Sequence, residues 1–320
     1  MRKIVVATAL LLASLVPAPA AAWGFAGHQL IMRRAIELLP PELKPFFERH
    51  RDEIVVRVKD PDLWRNAGWE DDPNHFLDFG MKELGEYPFT ALPREYGAAL
   101  EKFGASLLTR IGRLPWREAE EFGNLRRGFE AFTHQGQYAT GDVVLFSAVA
   151  SHYIQDAHQP FHASNNYDGQ LTGNTGIHAR FERDLIERFE SRLTLHPAVP
   201  RAITNPRDAS FDTLLASYKL VGPILQADTA AAAGKDLYDD DYYEKFLAKV
   251  RPILEQRLSE ADVNEIRAIG DNTGCMALKG ANPAHEGEER PDRWALDPDL
   301  VEGGARWGID PDRDLSGAPA

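Results

Sequence analysis

The chain has 320 residues, 43% of them hydrophobic, with 49 acidic against 36 basic side chains and a formal net charge of -13. That length suits one large domain or two small ones with a substantial core. The acidic surplus excludes attraction of nucleic acid or an anionic membrane by net charge alone, so a phosphate-bearing substrate needs a local cationic centre. Cys275 is the single cysteine, which leaves no internal disulfide.

Met1-Arg2-Lys3 is basic, Ile4 to Val16 is an apolar run of 13 residues, and Ala20-Ala21-Ala22 offers small residues to a peptidase. Residues 1–22 therefore read as a secretory signal peptide, too short and wrongly flanked for a membrane span. Cleavage after Ala22 is expected to leave Trp23 at the N-terminus of an exported chain, periplasmic or secreted, with no transmembrane segment. Loss of Arg2 and Lys3 takes the charge to -15.

Helical periodicity runs from Gln29 to Leu39 and stops at Pro40-Pro41, and a second helix is expected over Glu42 to Arg51. Asp60 to Asn66 reads as a loop and Leu84 to Pro93 as irregular. Glu95 to Ile111 and Arg117 to Thr133 form amphipathic scaffold helices. The run from Val143 reads as a buried helix ended by Pro160, and the polar, glycine-bearing stretch Ala163 to Thr175 suits a rim above a site. Helices are expected from His178 to Ser191, Phe211 to Gln226 and Tyr242 to Ser259, with a short last one over Glu260 to Ile269. Almost nothing alternates as a strand would. The class is all-α, a single multi-helical domain over residues 23–280, followed by a Pro-, Gly- and Asp-rich tail, 281–320, that docks at most near Trp294 or Trp307.

His152 and Asp156 lie four apart and project from one helical face, and His162 follows at the mouth of that helix. His178 and Glu182 repeat the spacing. Imidazole and carboxylate on one face make a divalent metal site, since neutral nitrogen and anionic oxygen are the ligands zinc takes. A free amine at Trp23 could chelate an ion with its own carbonyl, and His28 is five residues on. The plainer alternative makes Trp23 a core residue and His28 an ordinary helix-start histidine. Carboxylates also gather around His75, in Asp71-Asp72-Pro73-Asn74-His75, where a solvated acidic loop is the competing reading. His158 points to a different helical face from His152 and reads as a neighbour of the ligands or as surface. His50, His134, His196 and His285 have no partner pattern.

Taken together, these fragments resemble the superfamily of zinc-dependent bacterial phospholipases C and single-strand-specific nucleases. The shared elements are Trp at the mature N-terminus with a nearby His, an Asp and a His within the next 50 or so residues, His-x3-Asp-x5-His, and His-x3-Asp/Glu. The resemblance covers roughly residues 23 to 270 and implies a helical fold around a trinuclear zinc cluster. It implies one zinc held by Asp62, His75, His152 and Asp156, and a second by His162, His178 and Glu182. The third would use the amine and carbonyl of Trp23, His28 and the other oxygen of Asp156. Asp62 is preferred to Asp60 on the match of its flanking residues.

Glu182 as last ligand and the 15 residues between His162 and His178 resemble the phospholipase branch. Trp23-Gly24-x2-Gly27-His28 and Gln159-Pro160-Phe161-His162 resemble the nuclease branch. The implied activity is phosphodiester hydrolysis, phospholipase C-like, with nuclease or nucleotidase as the alternative and Asp62 as general base or water-orienting group. A non-catalytic protein that stores or is built on zinc is a third reading. Trp64, Phe76 and Tyr167 are available aromatic surfaces for a base or a quaternary ammonium, though core packing accounts for them equally well. The partner is a phosphodiester substrate, either a phospholipid head group or a nucleotide, and no protein partner is evident.

Overall fold

The computed structural model describes residues 23–67, 71–196, 203–233 and 238–273. The expected leader, Cys275, His285, Trp294, Trp307 and the 281–320 segment lie outside them. The described residues are all-α: α1 Gly24–Leu38, α2 Lys44–Arg49, α3 Arg51–Arg57, α4 Asp60–Asn66, α5 Tyr96–Ile111, α6 Leu114–Gln135, α7 Thr140–His158, α8 Ile177–Ala179, α9 Leu185–Phe189, α10 Pro206–Ala232 and α11 Asp240–Thr273. A single parallel bridge joins Phe79 to Ser164. No described helix is long and apolar enough to cross a membrane.

The centre of this arrangement is α7. Its residues Ser147 to His158 are all buried, and its faces serve different cores. Val143, Val144, Ala148 and Ala150 pack with Met32, Ile36, Phe47, Ile54 and Phe129 from α1, α2, α3 and α6. Val149, Tyr153 and Ala157 pack instead with Leu77, Phe79, Leu108 and Leu214. A third core joins Trp23, Phe161, Phe181 and Ile186 to α10 and α11 through Ile224, Phe246 and Leu254. A helix buried all round would ordinarily be apolar all round, yet α7 also buries His152, Gln155 and Asp156.

Several expectations change. Asp60 to Asn66 is a helix rather than a loop, because Pro61 is preorganised for a first turn and Asp60 and Asp62 place negative charge at its N-terminal end. The first helix begins at Gly24 rather than Gln29, after left-handed backbone at Trp23 (φ 42°) and Gly24 (φ 53°). Residues 240–273 form one helix, not two. The expected helix from His178 is interrupted by a π turn at Arg180–Asp184.

The helices without chemical clusters still position the site. At the junction of α5 and α6, Asp78 N–H donates to Ile111 O (2.7 Å), Arg113 N–H to Pro73 O (2.6 Å) and Leu114 N–H to Phe76 O (3.2 Å). Gly112 (φ 100°) lets this junction approach, since a Cβ there would lie 2.1 Å from Phe76 O. The segment 73–78, which carries His75, is thereby clamped from outside. From inside, Leu77 N–H donates to His162 O (2.8 Å) and Asn165 N–H to Phe79 O (2.9 Å), so the two ligand-bearing segments run side by side.

Candidate metal centre

Three groups of buried side chains each bring ligand atoms within 4.8 Å of one another: Asp62, His75 and His152; His28, His152 and Asp156; His162, His178 and Glu182. Every one of the eight side-chain ligands implied by the resemblance belongs to at least one group. α7 supplies His152 and Asp156, α4 supplies Asp62, α1 supplies His28, and the 3-10 turn Pro160–Ala163 supplies His162. Asp62 is fully buried, whereas Asp60 turns to Arg57 (3.5 Å) and is partly exposed.

The spacing suits an ion. Four ligands at about 2 Å in a tetrahedron are about 3.3 Å apart. His75 Nδ1 is 3.0 Å from Asp156 Oδ2 and 3.1 Å from His152 Nε2, which is itself 3.3 Å from Asp156 Oδ2. Asp62 Oδ1 completes the set 3.9 Å from His75 Nδ1. The other oxygen of Asp156, Oδ1, faces His28 Nε2 at 3.5 Å and His162 Nδ1 at 3.7 Å. Asp156 thus presents one oxygen to each of two ligand sets. His178 Nε2 lies 2.9 Å from Glu182 Oε2, with His162 Nε2 4.0 Å from the same oxygen.

In four of the five histidine rings, a hydrogen bond on the outer side fixes which nitrogen faces inward. His152 Nδ1 donates to Val58 O (2.8 Å), His162 Nδ1 to His75 O (2.6 Å) and His28 Nδ1 to Gln155 Oε1 (2.6 Å). Each Nε2 is left without a proton, as a metal ligand requires. His75 is turned the other way, with Nε2 at Asp71 Oδ2 (3.0 Å) and Nδ1 inward.

The electrostatics follow from burying these groups together. Burial, with His152 second, pushes His28 down to about 3. Burial also holds His162 well below the imidazole range. Burial would lower His75, but the carboxylates of Asp156 and Asp71 outweigh it and raise it to about 9. Asp62 and Glu182 are raised by burial, whereas for Asp156 the histidines His152 and His162 overcome burial and hold it low. Both oxygens of Asp62, Asp156 Oδ1, His28 Nε2 and His178 Nδ1 are buried without a hydrogen-bond partner. Leaving converging polar atoms unanswered costs several kcal/mol apiece, roughly, and divalent cations among them would answer most of it.

The sequence matches no protein-family model and no curated protein. The reading of the site therefore stands on these residues.

Trp23 also reaches the cluster. Its backbone N–H donates to Glu182 Oε2 (3.1 Å) and its indole to Gln155 O (2.6 Å). The resemblance groups that nitrogen with His28 and Asp156, while its hydrogen-bond partner is Glu182. His158 is buried, not surface: its ring bonds Ile154 O (2.8 Å) and its carbonyl accepts from Arg257 (2.9 Å). His50 rests against Phe46, with ring centres 4.8 Å apart. Of the aromatic surfaces, Tyr167 is 50% exposed, and Trp64 lines a cavity of about 360 Å³.

Sequence reasoning missed Asp71, Gln155 and Gln159. Gln159 Nε2 donates to Glu182 Oε2 (2.7 Å) while its Oε1 accepts from Phe161 N (2.6 Å), starting the turn that carries His162. Asp71 had a signal, because it stands four residues before His75, the spacing of the other pairs in reverse order.

Proposed function

We propose that the chain is an exported zinc-dependent phosphodiester hydrolase of the phospholipase C and single-strand nuclease superfamily. The observation that carries this reading is the sharing of Asp156 between ligand sets, together with sets of three or four side chains. Structural zinc is closed by four protein ligands, whereas a three-ligand set leaves a position for substrate or water. Divalent ions held by Asp62, Asp156, Glu182 and the histidines would make a cationic pocket in an acidic protein, which is what a phosphodiester needs.

Zinc bound there supplies positive charge against phosphoryl oxygens and acidity to water. The chain's own residues do the rest. Asp62, whose carboxyl burial holds above the usual range, would serve as the base or water-orienting group. Val58 O, Gln155 and Asp71 hold the imidazoles in fixed tautomers. The apolar surroundings of α7 exclude bulk water and so strengthen every charge interaction in the pocket. Removal of residues 1–22 would convert the Trp23 nitrogen, already at Glu182, into an amine ligand.

The nuclease alternative has one observation in its favour. The rings of Tyr87 and Tyr218 are parallel within 10° at 6.4 Å between centres, beside a cavity of about 410 Å³ that Lys82 also lines. Lys219 stands 5.0 Å over Tyr87. Flat rings beside cations suit a base and its phosphate. The test is hydrolysis by the purified protein of bis(p-nitrophenyl) phosphate, p-nitrophenylphosphocholine and single-stranded DNA, with and without a chelator. Chelator-sensitive turnover abolished by His152→Ala is expected. Zinc-loaded protein that turns over none of the three would overturn the enzyme reading.

A further inference from the structure

Of the cluster's histidines whose outer nitrogen is hydrogen-bonded, three are backed by neutral acceptors: a carbonyl behind His152, a carbonyl behind His162 and an amide oxygen behind His28. His75 alone is backed by a carboxylate, and it alone turns Nδ1 toward the centre. We infer that Asp71 is a positioning residue for the ion held by Asp62, His75, His152 and Asp156: it fixes the proton of His75 on Nε2 and the ring in the orientation that delivers Nδ1. This rests on the metal-centre reading above.

Asp71 is built for that task. Its Oδ1 accepts from Asn74 Nδ2 (2.7 Å), and its Oδ2 accepts from the Tyr153 hydroxyl (2.8 Å) as well as from His75 Nε2 (3.0 Å). Tyr153 follows the ligand His152 on α7 and is fully buried, with its ring 5.4 Å from that of His75. The Arg117 guanidinium covers the other side of the phenol at 5.3 Å and is paired with Glu121 at 3.0 Å. A hydrogen-bonded chain thus runs from Tyr153 through Asp71 to His75, steadied by α6. α7 supplies two of the four ligands of this ion and, one residue along from His152, the brace for a third.

The arrangement has a chemical consequence. A carboxylate behind an imidazole fixes its tautomer and makes its other nitrogen a better donor, and loss of such a group typically weakens a metal about 10- to 100-fold. The cavity of about 360 Å³ lies against Asp71, so the carboxylate is held by its hydrogen bonds rather than wedged by packing. The isosteric Asp71→Asn therefore fits the same space while losing the charge and one acceptor. Tyr153→Phe keeps carboxylate and ring and removes only the hydroxyl donor.

The test is zinc content by mass spectrometry across a chelator-buffered series of free zinc, for the wild-type protein, Asp71→Asn and Tyr153→Phe. Melting of the metal-free forms is followed in parallel. In Asp71→Asn one ion should require about 10- to 100-fold more free zinc while the others load as in wild type. Tyr153→Phe should show a smaller shift in the same ion, and metal-free melting should fall in each variant by no more than the hydrogen bonds it removes, about 1 kcal/mol apiece, without affecting the loading of the other ions. Wild-type loading in both variants would overturn the role of Asp71, as would parallel loss of all ions with lowered metal-free melting, the mark of a structural residue. A wild-type protein that binds no zinc would overturn the metal centre itself, a result distinct from either.

Discussion

Two clusters of buried charge share the turn around residue 180, and they are built on opposite terms. Around Arg180 every charge is answered. Its Nε and Nη2 bond Asp228, Nη2 also bonds Asn174 O (3.0 Å), and Nη1 bonds Thr175 O (2.8 Å). Asp228 accepts further from Asn174 Nδ2 (2.7 Å) and the Tyr242 hydroxyl. Two residues to either side, His178 and Glu182 belong to a cluster whose ligand atoms converge, several of them, such as both oxygens of Asp62 and Oδ1 of Asp156, without a hydrogen-bond partner. The contrast teaches that buried charge alone says little about function. What marks the candidate metal centre is that histidine and carboxylate ligand atoms from separate segments converge at ion-binding distances.

The largest way to sharpen this contrast is Asp156→Asn, which removes the bridging carboxylate. Hydrolysis should fall on the order of a thousandfold, and bound zinc should fall with it. Melting of the metal-free protein should fall as well at neutral pH, because the surrounding histidines hold this carboxylate ionised and the variant strands them. A variant with wild-type zinc content would break the bridging account. On the closed side, Asp228→Asn should destabilise the fold by about 3–5 kcal/mol in denaturant unfolding, equally with and without zinc, because it strands Arg180. A zinc-dependent loss would blur the two clusters together.

Glu118 shows a third way to bury a carboxyl. It is 5% exposed, one oxygen has no partner, and burial pushes it up to about 8. The folded chain therefore keeps a proton that the unfolded chain releases near 4.5, so this group's contribution is intact below that value and is lost as pH rises through about 8. Glu118→Gln should be more stable than wild type at pH 8.5 by on the order of 5 kcal/mol, with the gap closing toward pH 4.5. A gap independent of pH would show that Glu118 is ionised throughout.

The parts of this design visible in the sequence are those with a period. The pairs His152/Asp156 and His178/Glu182 declare a shared helical face by spacing alone, and the apolar run before His152 declares the helix beneath them. Asp62 was harder to place because Pro61 suits both a loop and a first helical turn, and only packing of α4 against α7 decides. The brace on His75 was hidden for another reason. Asp71 has the right spacing, but its role depends on Tyr153 and Arg117, 82 and 46 residues away, which no local pattern links to it. The clamp at Gly112 and the π turn at Arg180–Asp184 are likewise products of tertiary contacts.

The most direct test of the central claim is an anomalous difference map at the zinc edge from crystals of the purified protein. Three peaks are expected, one lying about 2.0–2.2 Å from Asp62, His75 Nδ1, His152 Nε2 and Asp156 Oδ2. A second should be bounded by His162, His178 and Glu182, and a third should touch His28 and Asp156 Oδ1. A zinc-grown crystal with no peak among these residues would contradict the account.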